Sequence, residues 1–376
     1  MKIAQVTAYW GPSYPTGSGV YAYEISKRLA EEGNEVHVFT SNIGNFDDIE
    51  YPSNLHVHVL RTYKVVWNMN PLTKGFTMLL RKFDFDVVHV HSYIFFLSNM
   101  AALARILKGF RYVLQFHGGL NYSAEGRFSP MRVRAKEKIY DKTLGLLTVK
   151  RADKVLSIAK SDIPVIRRKF KTEAEWVRNA ANTDTFTVAN NENESNMVTY
   201  IGKLEKWKGI DALMECFKIL KERIKDVEFL VIGEGSLAGK IKKSDLPIRV
   251  KGYVPHDKMP EIYHKTSVFV SPSYMEGSPT TCIESLACGV PVVATDVGDT
   301  GDIVVDGKTG FLVKPGDAVG MASKVIEILE DESLRRRMGI EGRKHIEENF
   351  NYDDVMGKIK RVYEEQNDRK GRKEDQ

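Results

Sequence analysis

The sequence predicts a two-domain α/β protein in which each domain holds a parallel β-sheet covered by helices. The chain has 376 residues, which exceeds the ~100–200 residues usual for one domain. Short runs rich in Val, Ile and Leu alternate with helix-length segments, as in parallel sheets that are buried on both faces. This alternation stops at a polar stretch and then starts again. We therefore expect domains at 1–180 and 181–349, with a C-terminal helix at about 350–376 packing back on the first.

In the first half, one helix and six strands are indicated. The helix is predicted at 18–33, where Gly33 is typical of the residue just past a helix C-terminus. The predicted strands are 2–8, 35–41, 55–60, 86–92, 111–118 and 153–159.

The second half begins after the polar stretch "ANNENESN" at 189–196, which is typical of a linker or exposed loop. A helix is predicted at 209–224, and the chain from 317 to 370 is expected to be helical. The predicted strands are 197–204, 227–235, 248–254, 267–273 and 290–297. Two such units in tandem are expected to leave a cleft between them, lined by the C-terminal ends of the strands.

The composition is that of a soluble globular protein, with 42% hydrophobic and 28% charged residues. The N-terminal residues have no apolar signal-peptide core, and no long apolar window is present, so we expect a cytoplasmic protein. The three cysteines, an odd number without metal-type spacing, favour buried thiols over a disulfide framework.

The charge is distributed unevenly along the chain. Residues 1–180 contain 26 Lys and Arg against 16 Asp and Glu, and the remainder contains 29 against 34. A basic first half is consistent with an anionic partner or surface, and equally with ordinary solvated side chains.

The stretch "EGSPTTCIESLACG" carries the strongest chemical signal. It places Glu276 in a turn after a strand and Glu284 about one turn inside the following helix. Unpaired N–H groups at a helix start can bind phosphate, and the small residues beside them allow close approach. A carboxylate at Glu284 could accept two sugar hydroxyls, and Glu276 is expected to be free to face the cleft. The alternative is a capped helix whose glutamates interact only with its dipole.

This stretch resembles the E-x7-E signature of the retaining glycosyltransferases of family four (group 1), which have the two-domain GT-B fold. "YIGKLEKWKG" resembles the family's second signature and places Lys203 and Lys208 on the donor diphosphate. Lys203 stands where many members have Arg, so a point charge replaces a bidentate contact. The resemblance implies that Glu276 and Lys208 are catalytic and that Glu284 binds ribose. It also implies donor-phosphate contacts from Thr280 and Thr281.

Two further blocks are similar to the same family. The segment "VKGYVPHDKMPEIYHK" resembles the one that lines the nucleotide base, with Gly252, Tyr253 and Val254 closest. "NAANTDTF" stands where many members have Asn-Gly-Val-Asp, and of these only Asn179 matches.

In the first half, "TGSGVYAYEIS" is interpreted as a glycine-rich loop before the first helix. It resembles the family loop that closes over the donor phosphate, with Gly17, Ser18 and Gly19 as the candidates. His117 lies at the end of a predicted strand and resembles the family histidine that touches the transferred sugar, which implies a catalytic role. His91 is expected at the edge of the cleft, and His89 in the protein interior.

No metal is predicted. "DFD" at Asp84–Asp86 resembles a metal motif of another glycosyltransferase fold, but it precedes a buried strand instead of ending one. The predicted function is a metal-independent retaining transferase without a cofactor, using a UDP- or GDP-linked sugar as donor. The alternatives are a GT-B-fold nucleotide-sugar epimerase and a non-catalytic nucleotide-sugar-binding subunit.

The acceptor is expected to be a glycan, a lipid-linked molecule or another anionic compound. Residues 63–83 interleave aromatic, Met and basic side chains, and a second basic run spans 127–142. Such a surface could dock on the anionic inner face of a membrane. Alternatively, Trp67, Phe76 and Leu79 belong to the core.

Overall fold

The computed structural model describes residues 1–11, 16–44, 50–66, 70–76, 82–120, 138–189 and 195–365. Its contacts divide the chain into two compact units. The first comprises the described residues of Met1–Arg178 and Asp353–Gln376, and the second is Asn179–Tyr352. Most of the polar stretch at 189–196 lies outside the described residues.

The first unit contains a seven-stranded sheet and a short hairpin within its described residues. The strands are β1 (Lys2–Val6), β2 (Glu35–Ser41), β3 (Leu55–Leu60), β4 (Thr62–Val66), β5 (Asn70–Thr73), β6 (Val87–His91), β7 (Arg111–Phe116), β8 (Lys154–Ser157) and β9 (Glu175–Trp176). The helices are α1 (Gly17–Glu31), α2 (Phe96–Leu107), α3 (Leu144–Lys150) and α4 (Ile163–Phe170), with 3-10 turns at Tyr140–Lys142 and Lys160–Asp162.

The sheet order in this unit is β3-β2-β1-β6-β7-β8-β9, and every pair is parallel. Strands β4 and β5 form a separate antiparallel pair. Every residue of β6 and β7 is buried, as expected for strands that are covered on both faces. Helix α1 ends at Glu31. Gly33 lies just past its C-terminus, as predicted, and has a φ of +87° that is readily adopted only by glycine.

The second unit repeats the pattern with a six-stranded parallel sheet, in the order β12-β11-β10-β13-β14-β15. Its strands are β10 (Asn196–Ile201), β11 (Val227–Ile232), β12 (Ile248–Lys251), β13 (Val268–Ser271), β14 (Val292–Thr295) and β15 (Gly310–Val313). Its helices are α5 (Ile210–Arg223), α6 (Ala238–Lys242), α7 (Met259–Tyr263), α8 (Thr280–Ala287), α9 (Thr300–Ile303), α10 (Ala318–Glu330) and α11 (Glu332–Asn349), with 3-10 turns at Lys206–Lys208 and His256–Lys258.

Each sheet has a point where the strand order reverses. In the second unit this point lies between β10 and its neighbour β13, because β10 continues to β11 on its other side. In the first unit it lies between β1 and β6. Ligands of open α/β sheets bind beyond the carboxyl ends of the strands at such points. The chain segments that follow β10 and β13 are therefore the first place to look for a site.

The last helix, α12 (Tyr352–Glu364), belongs from Asp353 onward to the first unit. Its residues Ile359, Val362 and Tyr363 are buried. The three cysteines are free and buried, as predicted. None of the helices in the described ranges is long and apolar enough to cross a membrane.

Candidate active site

The lysine-glycine motif and the first glutamate of the E-x7-E motif meet in the second unit. Lys208 Nζ lies 2.5 Å from Glu276 Oε1, and Ser273 Oγ donates to the same oxygen at 2.6 Å. The side chains of Lys208 and Glu276 are only 17% and 8% exposed. Glu276 is therefore ion-paired, which the sequence analysis did not predict, because a carboxylate so far removed from water requires a cation and hydrogen-bond donors.

Gly209 explains how residues so far apart in the sequence come together. It has a φ of +71°, and a Cβ atom at this position would lie 1.9 Å from the carbonyl oxygen of Pro272. Beside this approach, Tyr274 N donates to the carbonyl of Trp207 at 3.0 Å. Only glycine allows the two backbones to pack this closely, and the contact fixes Lys208 beside Glu276.

A second glycine, Gly298, also packs closely against the turn that follows β13. Gly298 has a φ of +58°, and a Cβ atom there would lie 2.2 Å from the carbonyl oxygen of Glu276. Asp299 N donates to the carbonyl of Gly277 at 2.9 Å. The backbone around Glu276 is thus positioned before any ligand binds.

The N-terminus of α8 follows this turn. No side chain caps the helix at Pro279, so its first N–H groups have no partner within the helix. Buried Asn179 braces the segment, since its Nδ2 donates to the carbonyl of Ser278 at 3.2 Å and to Thr280 Oγ1 at 2.8 Å. Thr280 and Thr281 form the first two helical positions. This arrangement is suited to binding an anion.

Lys203 follows β10, on the other side of the point where the strand order reverses. Its side chain is exposed, while its carbonyl accepts a hydrogen bond from the hydroxyl of Tyr200 at 2.9 Å. Lys203 and Lys208 thus differ in environment: one is exposed to solvent, and the other is paired with a carboxylate.

Glu284 lies inside α8 with two partners that the sequence reasoning missed. Its Oε1 is 2.7 Å from His256 Nε2, and its Oε2 accepts from the hydroxyl of Tyr263 at 3.0 Å. Burial and the nearby carboxylate raise the pKa of Tyr263 well above its ordinary value, so this phenol is a donor. Neither partner lies at a recognisable motif spacing, although both belong to the segment expected to line the base.

The other residues expected near the base precede His256. Gly252 and Tyr253 are exposed and Val254 is partly buried. A Cβ atom at Gly252 would only touch Glu234 Oε1, at 3.4 Å. These residues follow β12 at the carboxyl end of the sheet, and His256 joins their loop to Glu284 of α8.

In the first unit, Gly17, Ser18 and Gly19 form the first turn of α1, which begins one residue before the predicted helix start at 18, so the interpretation of these residues as part of a loop was wrong. Thr16 caps the helix, with its Oγ1 accepting from Gly19 N at 3.2 Å. A Cβ atom at Gly19 would lie 3.1 Å from the carbonyl oxygen of Tyr9. Capping and this close packing outweigh the low helix propensity of glycine.

His117 follows β7, and its Nε2 lies 3.0 Å from Nδ1 of His91, the last residue of β6. Burial lowers the pKa of His117 to about 3 and that of His91 well below its usual value. Both imidazoles are therefore neutral at physiological pH. His89 is fully buried, as expected.

The carboxylates of the "DFD" segment have partners of their own. Asp84 pairs with Lys108 at 2.9 Å, and Asp86 Oδ2 accepts from Lys2 N at 2.8 Å. Among the described residues, Glu35, His37 and His56 have ligand atoms within 4.8 Å of one another. Glu35 already pairs with Lys2 at 2.8 Å. These three residues lie on β2 and β3, apart from the motifs discussed above.

Comparison with known proteins identifies the class to which this fold and site belong. The family model described as glycosyl transferases group 1 matches residues 182–345. The model described as glycosyltransferase family 4 matches residues 15–184. Together they cover both units, and the chain belongs to the group 1 glycosyltransferases.

Relatives of similar length support this membership. An uncharacterised glycosyltransferase of Methanocaldococcus jannaschii is 26% identical over 380 residues, covering 98% of this chain and 99% of that protein. The N-acetyl-alpha-D-glucosaminyl L-malate synthase of Bacillus anthracis is 24% identical, covering 93% of this chain and 94% of that protein.

Solved structures establish the fold as GT-B. Sucrose-phosphate synthase from Thermosynechococcus elongatus superposes with a TM-score of 0.81 at 20% identity, covering 97% of this chain and 98% of the other. Anabaena HepE, solved in complex with UDP and glucose, superposes with a TM-score of 0.78 at 15% identity, covering 96% and 99%.

Proposed function

We propose that this glycosyltransferase moves a hexose from a UDP- or GDP-linked donor to an acceptor hydroxyl, with retention of the anomeric configuration and without a metal ion. The observation that carries the proposal is the pairing of Lys208 with Glu276, next to the uncapped N-terminus of α8. A cation, unpaired helix N–H groups and a carboxylate are grouped at the carboxyl end of the sheet. A nucleotide sugar carries phosphates, which suit the cation and the N–H groups, next to hydroxyls, which suit the carboxylate.

In this proposal the second unit binds the donor diphosphate. Lys208, exposed Lys203 and the first N–H groups of α8, at Thr280 and Thr281, neutralise the charge that develops on the leaving group. Such preorganised cationic and dipolar groups perform the task that Mg²⁺ performs in other transferases. The diphosphate itself takes the acceptor proton, so that no separate base is required.

Glu276 is assigned to the transferred sugar. Its Oε1 accepts from both Lys208 and Ser273, whereas Oε2 has no hydrogen bond within the described residues. This oxygen can accept a hydroxyl of the sugar while the ion pair holds the carboxylate in place. Glu284 is assigned to the ribose, and the segment Gly252–Val254 to the base. His117 of the first unit is assigned to the sugar.

The relatives support a nucleotide-sugar donor. HepE has been solved with UDP and glucose, and the Bacillus anthracis relative is named as a synthase of N-acetyl-alpha-D-glucosaminyl L-malate. The acceptor is proposed to be a glycan, a lipid-linked compound or another anionic molecule.

The first unit is proposed to meet an anionic membrane surface through the β4–β5 hairpin. There Tyr63 is 54% exposed and Val65 41% exposed, while Lys74 Nζ lies 5.6 Å from the centre of the Tyr63 ring. Phe76 is 2% exposed and belongs to the core, as the alternative interpretation expected. Trp67, Leu79 and residues 127–137 of the second basic run lie outside the described residues.

A donor panel tests the proposal. Thermal shift would first identify which UDP- or GDP-linked sugars stabilise the protein, and nucleoside diphosphate release would then be measured with candidate acceptors. The anomeric configuration of the product would be determined by NMR. Binding without transfer to any acceptor, or an inverted product, would contradict the proposal.

A further inference from the structure

A continuous hydrogen-bonded chain connects the last helix to His117. Tyr363 of α12 has its hydroxyl 2.7 Å from His89 Nδ1 and 3.1 Å from Gln5 Nε2. Gln5 Oε1 lies 2.8 Å from His91 Nε2, and His91 Nδ1 lies 3.0 Å from His117 Nε2. We call these five residues the histidine relay.

The relay lies inside the first unit, at the point where its strand order reverses. Gln5 is on β1, His91 ends β6 and His117 follows β7. Tyr363, Gln5, His89 and His91 are all fully buried. Burial lowers the pKa of His89 and of His117 to about 3. A neutral imidazole has one donor and one acceptor nitrogen, so the protonation of one ring determines that of the next.

Gln5 sets the starting point. Its Nε2 donates to the hydroxyl of Tyr363 at 3.1 Å, which leaves Oε1 facing His91 Nε2 at 2.8 Å. An amide oxygen can only accept a hydrogen bond, so His91 carries its proton on Nε2.

The remaining protons follow in order. His89 Nδ1 accepts from the Tyr363 hydroxyl, whose oxygen accepts from Gln5 Nε2. Gln5 Oε1 accepts from Nε2–H of His91, so Nδ1 of that ring accepts from Nε2–H of His117. His117 Nδ1 is then left without a proton. It is a buried atom with no hydrogen-bond partner in the described part of the chain.

We propose that Tyr363, Gln5 and His91 are positioning residues that hold His117 as its Nε2–H tautomer, so that Nδ1 accepts a hydrogen bond from a hydroxyl of the transferred sugar. The identity of the ligand, a hydroxyl of the transferred sugar, rests on the proposed function. It adds the protonation state of His117 and the residues that impose it. A buried acceptor without a partner is costly, and a sugar hydroxyl is a donor that satisfies it.

The tautomer can be observed directly. Long-range proton–nitrogen NMR on the protein labelled with ¹⁵N-histidine distinguishes a protonated from a bare ring nitrogen, and a His117→Gln variant identifies the signals of His117. We expect Nε2 protonated and Nδ1 bare. A wild-type ring protonated on Nδ1 would overturn the inference, and this measurement requires no sugar donor.

The Tyr363→Phe variant tests whether the hydroxyl of Tyr363, on α12, determines the tautomer of His117. Without the hydroxyl, the His117 signals should shift toward a mixture of tautomers. The kcat/KM for the sugar donor should fall about tenfold, the size of one hydrogen bond. The Kd of the nucleoside diphosphate, which lacks the sugar, should stay unchanged. Tyr112→Phe is the matched control, because Tyr112 is buried in the same unit and its hydroxyl has no partner among the described residues.

The outcomes separate the two proposals. Unchanged His117 signals and unchanged kcat/KM in Tyr363→Phe would show that the relay has no such role. Equal losses in Tyr112→Phe and Tyr363→Phe would indicate a purely structural effect. If no donor supports transfer, the proposed function fails, while the tautomer measured on the protein alone still decides the relay.

Discussion

Lys208 and Glu276, which are separated by 68 positions in the sequence, form an ion pair with an N–O distance of 2.5 Å. The pair joins the segment after β10 to the segment after β13, across the point where the strand order of the second sheet reverses. Because both side chains are largely buried, neither charge can be removed without affecting the other.

Replacing Lys208 should weaken donor binding. We expect Lys208→Ala to reduce the affinity for UDP or GDP by about 1.5–3 kcal/mol, the range for hydrogen bonds to charged groups. Loss of the ammonium also leaves the Glu276 carboxylate facing the diphosphate. Isothermal titration calorimetry measures the effect. Lys206→Ala is the control, since Lys206 is an exposed neighbour on the same 3-10 turn. An unchanged affinity in Lys208→Ala would refute the phosphate assignment.

Glu284 allows ribose binding to be separated from phosphate binding. We expect Glu284→Gln to weaken UDP or GDP binding about tenfold, because the carboxylate loses charge-assisted hydrogen bonds to the ribose. Binding of inorganic pyrophosphate, which has no ribose, should not change. Competition calorimetry with the two ligands measures both.

A control for the Glu284 prediction is Glu215→Gln, which alters an exposed glutamate of α5. If Glu284→Gln weakened pyrophosphate and nucleotide binding equally, Glu284 would act by holding α8, together with His256 and Tyr263, and not by contacting ribose.

The fold could be predicted because its signals are local. The strands of a parallel sheet are buried on both faces, so β13 and β14 appear in the sequence as short, mostly apolar runs. Gly33, just past the end of α1, could be predicted because the positive φ at this position depends on the residue type alone. The helix was predicted to begin at residue 18, one residue late. The interpretation of residues 17–19 as part of a loop failed because the cap from Thr16 and the contact with the Tyr9 carbonyl arise only when the chain folds.

The residues of the candidate site were assigned from sequence motifs, but the contacts between them could not be predicted. Lys208 and Glu276 were each assigned from their own motif, yet their pairing depends on the approach of Gly209 to Pro272, which no local pattern encodes. His256 and Tyr263 have no motif spacing. Tertiary contacts alone connect them to the site.

Activity should not require a divalent ion. We expect turnover to survive EDTA, because lysine side chains and helix N–H groups stabilise the leaving diphosphate in the proposed mechanism. Initial rates with and without chelator measure this. Turnover that EDTA abolishes and Mg²⁺ or Mn²⁺ restores would contradict the prediction. His56→Ala would show whether any metal effect arises instead from the group formed by Glu35, His37 and His56.

The buried histidines should make stability depend on pH. Below their ordinary pKa of 6.5, the unfolded chain binds protons at His89 and His117 that the folded chain does not bind until pH falls to about 3. The free energy of unfolding should therefore fall as pH decreases through this window, by at most about 1.4 kcal/mol per pH unit for each histidine. Their close neighbours Tyr21 and Tyr363 carry no charge in this window, because burial raises the pKa of both phenols.

Urea denaturation at several pH values between about 7.5 and about 5 measures this slope. His91→Gln keeps a polar side chain but cannot titrate, so its slope should be shallower than that of the wild type. His345→Gln, which alters a histidine of the second unit, is the control for loss of a histidine elsewhere. His37 and His58 also have lowered pKa values and contribute to the slope in both proteins. The prediction therefore concerns the difference between the slope of the wild type and that of His91→Gln. Equal slopes in wild type and His91→Gln would refute it.

The β4–β5 hairpin should mediate binding to anionic membranes. Lys64 and Lys74 are exposed beside the exposed Tyr63 and Val65, and each cation near an anionic lipid surface contributes about 1 kcal/mol. At low salt we expect the protein to co-sediment with phosphatidylserine-containing vesicles more than with phosphatidylcholine vesicles. Lys64→Glu combined with Lys74→Glu should reduce this binding at least about tenfold, because two attractions become repulsions.

The control is Lys218→Glu combined with Lys242→Glu, which should have little effect. It makes the same change of charge at exposed helical positions of the second unit. Equal sedimentation with anionic and neutral vesicles would exclude the membrane and favour a soluble anionic acceptor, since the basic side chains would then serve only a dissolved ligand.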